Sequence, residues 1–193
     1  MKLIMLTTLT FLSIICSAQK KRDIDFKIET DSSVLQYLEH KNISFLGTQN
    51  ATLRGIGTFG EYGRSNKLIV PDALFFNKHG YLIENGGKGE NCGASINKLE
   101  KLVKMKSNAS LTLKNFLNEV TLNDGEYSIE YQTDIYIILK WAKWAPAESE
   151  TTFKWLASLQ NQNKLKIKIL LLNLDIHERW NLSEEQKQYL GII

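Results

Sequence analysis

Tyr136-Ile137-Ile138-Leu139-Lys140-Trp141-Ala142-Lys143-Trp144-Ala145-Pro146-Ala147-Glu148 is the stretch on which the fold turns. An apolar run over 135–139 has the length and composition of a buried strand. It ends in two tryptophans, Trp141 and Trp144, and Pro146 then stands where a first helical turn tolerates an imino acid. The helix that follows carries Phe153, Leu156 and Leu159 on one stripe. A second strand is read over 165–174, where Lys164-Leu165-Lys166-Ile167-Lys168-Ile169 alternates and Leu170-Leu171-Leu172 does not, as in a strand covered on both faces. Ser183 and Gln186 have capping-box spacing, opening a last helix that stops near Gly191. The β-α-β-α order over 134–191 argues for a parallel α/β unit.

Outward from this unit the signals are shorter. Asp31–His40 places Val34, Leu35 and Leu38 on one helical face, and Ile43–Leu46 reads as a brief strand. Residues 47–66, rich in Gly, Asn and Thr, read as a long loop. Residues 68–70, 73–76 and 81–83 are apolar runs, and the Asn77–Gly80 turn makes the last two a hairpin. Asn97 and Glu100 have capping-box spacing ahead of Leu99, Leu102 and Val103, and Thr112–Val120 carries Leu113, Phe116, Leu117 and Val120 at helical spacing.

The chain has 193 residues, 43% of them hydrophobic, with 24 Lys+Arg against 21 Asp+Glu. That is enough for one ordinary core, and a charge of +3 is too weak to imply a nucleic-acid partner. The N-terminus begins with Lys2, continues as an apolar run over 3–15 and ends Cys16-Ser17-Ala18-Gln19, which describes a secretory signal cut after Ala18. The run is too short for a membrane span. Lipidation at Cys16 is disfavoured by the bulky Ile14-Ile15 before it. The exported protein then keeps Cys92 as its lone cysteine, with no intramolecular disulfide open to it.

Most motifs dissolve on inspection. Gly55-Ile56-Gly57-Thr58-Phe59-Gly60 spells a dinucleotide fingerprint, but no helix is expected after it, and a loop is the reading. Gly86-Gly87-Lys88-Gly89 lacks the upstream Gly and following Ser/Thr of a phosphate loop and reads as a turn. His40, His79 and His177 lie on separate elements, and His177-Glu178 beside Asp175 reads as a solvated strand-end loop. Neither metal nor cofactor is expected. Four sequons, at Asn42, Asn50, Asn108 and Asn181, matter only in a eukaryotic host.

The Trp141–Pro146 corner resembles the strand-to-helix corner of thioredoxins, whose W-A-x-W-C-x-x-C carries the redox dithiol. Asn173-Leu174-Asp175 is similar to the Asn-x-Asp end of that family's next strand, and Tyr189-Leu190-Gly191-Ile192 to its Y-G-I exit. The half that should follow comes earlier: Leu68-Ile69-Val70-Pro71-Asp72-Ala73 resembles the cis-proline strand, residues up to 83 its hairpin, and residues 95–106 its closing helix. The resemblance covers about residues 67–106 and 127–193 and implies an α/β, thioredoxin-like mixed sheet flanked by helices, circularly permuted. Two incomplete α/β domains in tandem, or another α/β fold, stay open. The implied layout is a signal peptide over 1–18, an N-terminal helix and Gly-rich loop over 19–66, and a domain over 67–193. Within that domain the cis-proline half spans 67–106, a bridging helix lies in 107–126, and the corner half spans 127–193.

The departures carry the functional expectation. Ala145 and Glu148 stand where the family's two cysteines would be, and Leu139 where it has a buried acid. Without a low-pKa thiolate and its resolving partner, dithiol chemistry is not expected. What the resemblance then implies is a redox-inactive module holding a peptide or protein in the old groove, with Trp144, Ala145, Pro146, Glu148, Val70 and Pro71 as the candidate residues. The alternative is thiol chemistry, or a residual redox role, at Cys92. A purely structural protein, in which Trp141 is core and Trp144 covers the helix start, is the third reading. Oligomeric state is not legible in the sequence.

Overall fold

The computed structural model describes residues 24–43, 48–84, 86–123, 125, 127 and 129–192. The signal-peptide reading, Cys16 and most of the strand expected over 43–46 lie outside these residues. The elements in chain order are β1 (Ile28–Glu29), α1 (Asp31–His40), β2 (Thr48–Leu53), α2 (Ile56–Arg64), β3 (Asp72–Asn77), β4 (Tyr81–Ile83), α3 (Cys92–Ile96), α4 (Leu99–Leu102), β5 (Ser107–Thr112), α5 (Leu113–Leu117), β6 (Val120–Leu122), β7 (Ile135–Trp141), α6 (Pro146–Asn161), β8 (Ile167–Asn173), β9 (Ile176–His177) and α7 (Glu184–Leu190).

A seven-stranded mixed sheet has the order β5-β4-β3-β7-β8-β2-β6, and β1 pairs with β9 in a separate two-stranded parallel ladder. The α/β class is therefore as expected, with helices on both faces. At the centre β7 runs parallel to β8 and antiparallel to β3. Every residue of β7 is buried, and its period of two divides the core. Ile135, Ile137, Leu139 and Trp141 meet Leu38 of α1, Ile96 of α3, Leu102 of α4 and Phe153 and Leu156 of α6. Tyr136 and Ile138 meet Phe59 and Tyr62 of α2, Phe116 of α5 and Leu182 on the other face.

Local signals placed several elements correctly. Pro146 is in the first turn of α6. The Ser183–Gln186 capping box opens α7, and Gly191 closes it at φ 71°. The helix over Asp31–His40 and the β3–β4 hairpin form where expected.

Others need correction. The stretch read as a loop over 47–66 holds β2 and α2. Phe59 and Tyr62 recur at three-residue spacing and are buried, and the Tyr62 hydroxyl donates to Glu119 at 2.7 Å. Burying that aromatic face outweighs the poor helix propensity of Gly57, Gly60 and Gly63. The fingerprint glycines thus do sit at a strand-to-helix junction. The chain then enters β3, however, which is separated from β2 by β7 and β8 and runs antiparallel to β7, so no parallel β-α-β unit is formed there. The helix read from residue 95 onward is two short helices, α3 and α4, and α4 is preceded by Lys98 without a side-chain cap. The helix read over 112–120 is α5 alone, between the strands β5 and β6 at the two edges of the sheet. Residues 68–70 form no strand and lead into a cis Val70–Pro71 bond. Among the described residues no helix is long and apolar enough to cross a membrane.

Candidate functional site

The parallel strands end side by side. Trp141 of β7 is in register with Asn173 of β8, which is in register with Thr52 of β2, and β3 begins at the same end with Asp72 opposite Lys140. Crevices beyond the carboxyl ends of such strands are where open α/β sheets bind ligands.

The chain leaves β7 through a corner that buried polar groups hold in place. The Ser149 hydroxyl of α6 donates to the Ala142 carbonyl at 2.8 Å and accepts from the Ala142 amide at 3.0 Å. Thr152 donates to the Lys140 carbonyl at 2.8 Å. Across from them the Asp175 carboxylate accepts the Lys143 amide, the Trp144 amide at 3.4 Å and the Asn173 side-chain amide at 2.6 Å. Burial pushes the Asp175 carboxyl above its ordinary value, against the pull of these donors. The Trp144 indole donates to the Leu174 carbonyl at 3.3 Å, so the second tryptophan lies against the corner. Trp141 is core, stacked on Tyr37 at 5.7 Å.

Asp175 and His177 are not the solvated loop expected from sequence. They are 2% and 1% exposed, because β9 turns inward to pair with β1. Asn173 Oδ1 accepts the Asp175 amide, so His177 Nε2, 2.8 Å away, is the donor and Nδ1 carries the lone pair. That Nδ1 faces Asp31 at 3.4 Å, and Asp31 also meets Arg179 at 3.1 Å. Burial and Arg179 push the His177 pKa down to about 4, outweighing Asp31 and Glu29.

A cleft of about 730 Å³ opens at this corner. Leu68, Ile69 and Val70 form one wall, and Lys143, Trp144, Ala145 and Glu148 a second. Of the sequence candidates, Trp144, Ala145, Glu148 and Val70 are thus brought together. Pro71 is buried beside Val70 and Pro146 exposed beside Ala145, neither on the lining.

Cys92 is elsewhere. It is fully buried at the start of α3, with its thiol 3.5 Å from Asp72 Oδ1 and 3.6 Å from the Ala73 carbonyl. Burial, aided by the Asp72 charge, pushes its pKa up to about 12. Asp72 is itself in a buried ion pair with Lys140 at 2.7 Å.

The third wall was missed: Ile24, Asp25, Lys27 and Glu29, from the segment that carries β1. The signal was present in Ile24-Asp25-Phe26-Lys27-Ile28-Glu29, which alternates strictly between apolar and charged residues. Glu29 pairs with Lys143 and accepts from Ser33 at 2.5 Å, tying this segment to the corner. A second groove, of about 620 Å³, runs between α2 and α7, and Leu68 lines both.

The cleft offers a tryptophan, aliphatic side chains, carboxylates and two lysines. Its charged lining residues are Asp25, Lys27, Glu29, Lys143, Glu148 and Asp175. No protein-family model, no curated protein and no solved structure matches the chain.

Proposed function

We propose that the chain is an exported, thioredoxin-like protein with its halves in permuted order, which has lost the dithiol and holds an extended peptide or protein segment in the cleft beside Trp144. The observation that carries this reading is one juxtaposition. Val70, ahead of the cis Pro71, and Trp144-Ala145, ahead of α6, wall the same cleft although 74 positions separate Val70 from Trp144. The sheet supports it: β7 and β8 run parallel with α6 between them in the chain, and β3 and β4 follow antiparallel on the other side of β7. β2 and β6 extend the sheet beyond β8, and β5 extends it beyond β4. A groove between an extended backbone segment and an aromatic-bearing corner suits an extended chain, gripped by main-chain hydrogen bonds and side-chain slots.

The test is a fluorescence-anisotropy screen of unstructured peptides against the wild type, Trp144→Ala and Glu148→Arg. Each variant should weaken the peptides that bind by tenfold or more, and the wild type should not reduce insulin disulfides. Equal binding by all three proteins overturns the cleft. Disulfide reduction overturns the redox-inactive part.

A further inference from the structure

The third wall of the cleft is itself an extended segment of this chain. Residues 24–27 have no regular structure, and only Ile28 and Glu29 enter a ladder, opposite Ile176 and His177. Inward, the segment places Phe26 in a slot between two aromatic rings, edge-on to Trp144 at 5.7 Å and to Phe59 at 5.5 Å. Outward, Asp25 and Lys27 are 81% and 72% exposed in their side chains. At its end the Glu29 carboxylate is latched to Lys143. Phe26 lines the groove between α2 and α7, while its neighbours Asp25 and Lys27 line the cleft, so its ring stands where the two spaces meet at Leu68.

We infer that Ile24–Glu29 is a strap that walls the binding cleft and fills, in cis, the Phe26 slot beside it, and that the partner is an extended peptide whose large apolar side chain takes that slot between Trp144 and Phe59 once the strap is displaced. The inference rests on the reading of the cleft as a peptide site and adds what the peptide must carry and what it must displace. The strap has the features of a displaceable occupant. It holds on through the Phe26 ring, Ile28 on the core, the Glu29 carboxylate on Lys143 and Ser33, and a two-residue ladder. A site whose binding-competent state is scarcely populated has its apparent affinity lowered by that fraction, so weakening the strap must strengthen binding in trans.

The probe is a fluorescein-labelled peptide of residues 24–30, Ile-Asp-Phe-Lys-Ile-Glu-Thr, added to the full chain. Phe26→Ala in the protein should bind it at least tenfold more tightly than the wild type, and the peptide with Ala in place of Phe should lose that gain. Should Phe26→Ala fold poorly by circular dichroism, Glu29→Gln loosens the latch, leaves the aromatic slot intact and should bind at least threefold more tightly than the wild type. Hydrogen exchange over residues 24–29 reads the strap without any ligand and should speed up at least tenfold in Phe26→Ala. Unchanged exchange overturns the strap. Equal, Phe-dependent binding to wild type and variant also overturns the strap but leaves the peptide site standing. A strap that opens without any gain in binding overturns the peptide site with it.

Discussion

The Asp175 carboxylate accepts the backbone amide of Lys143 with both oxygens, at 2.9 Å each. The residues are 32 apart in the chain and meet only because β7 and β8 lie side by side, in register at Trp141 and Asn173. One buried acid thereby sets the path of the corner that carries Trp144 and Ala145 into the cleft.

Asp175→Asn tests that role. The substitution keeps the shape but turns one acceptor into a donor facing the Lys143 and Trp144 amides. A buried polar group left without a partner costs about 1–3 kcal/mol, or roughly 3–10 °C in melting temperature for a chain of this size. Peptide binding at the cleft should weaken along with stability, since Trp144 moves with the corner. A thermal melt of the variant within 1 °C of wild type, by differential scanning calorimetry at about pH 7, would remove Asp175 from this role.

The reach of sequence reasoning follows from where the decisive interactions lie. The α6 and α7 helices were legible because Pro146, the Ser183–Gln186 box and Gly191 signal within one turn of their own position. Helix α2 was not, because its local residues argue against a helix and only the distant sheet rewards Phe59 and Tyr62 for forming one. Likewise, the burial of Asp175 and His177 rests on partners distant in the chain, Lys143 and Asp31, as well as on nearby Asn173. Of the cleft, the two walls nearest the cis proline and the corner were legible through their motifs. The strap was not, although Ile24–Glu29 alternates, because only Ile28 and Glu29 enter a ladder and their partners lie at residues 176–177.

His177 makes stability depend on pH. Its pKa falls from 6.5 in the unfolded chain to about 4 in the folded one, so the unfolded state binds the extra proton between these values. The contribution is fully present above about pH 6.5 and is lost as pH falls toward 4, at most about 3 kcal/mol. Asp175 acts in the opposite sense. With its folded pKa raised, its contribution is present below the unfolded value of 3.8 and is lost as pH rises through the folded value. Urea unfolding at pH 7.5, 6.0 and 5.0 should show stability falling with acidification, and His177→Gln should flatten that slope. A variant with the same slope as wild type assigns the acid sensitivity to other groups.

Cys92 should be unreactive in the native protein. The thiolate is the nucleophile, and a thiol with pKa near 12 is ionised at pH 8 to about one part in ten thousand, against about a quarter for a free cysteine. Accessibility compounds this, since the sulfur is fully buried and faces Asp72 and the Ala73 carbonyl rather than the cleft. The two effects multiply, so modification by 5,5′-dithiobis(2-nitrobenzoic acid) at pH 8 should run at least a thousandfold slower in the native chain than in 6 M guanidinium. Any native rate should follow the opening of the fold and rise with denaturant in step with unfolding. Labelling within minutes under native conditions would mean that the thiol is presented to solvent, and would return thiol chemistry at Cys92 to the functions this chain can perform.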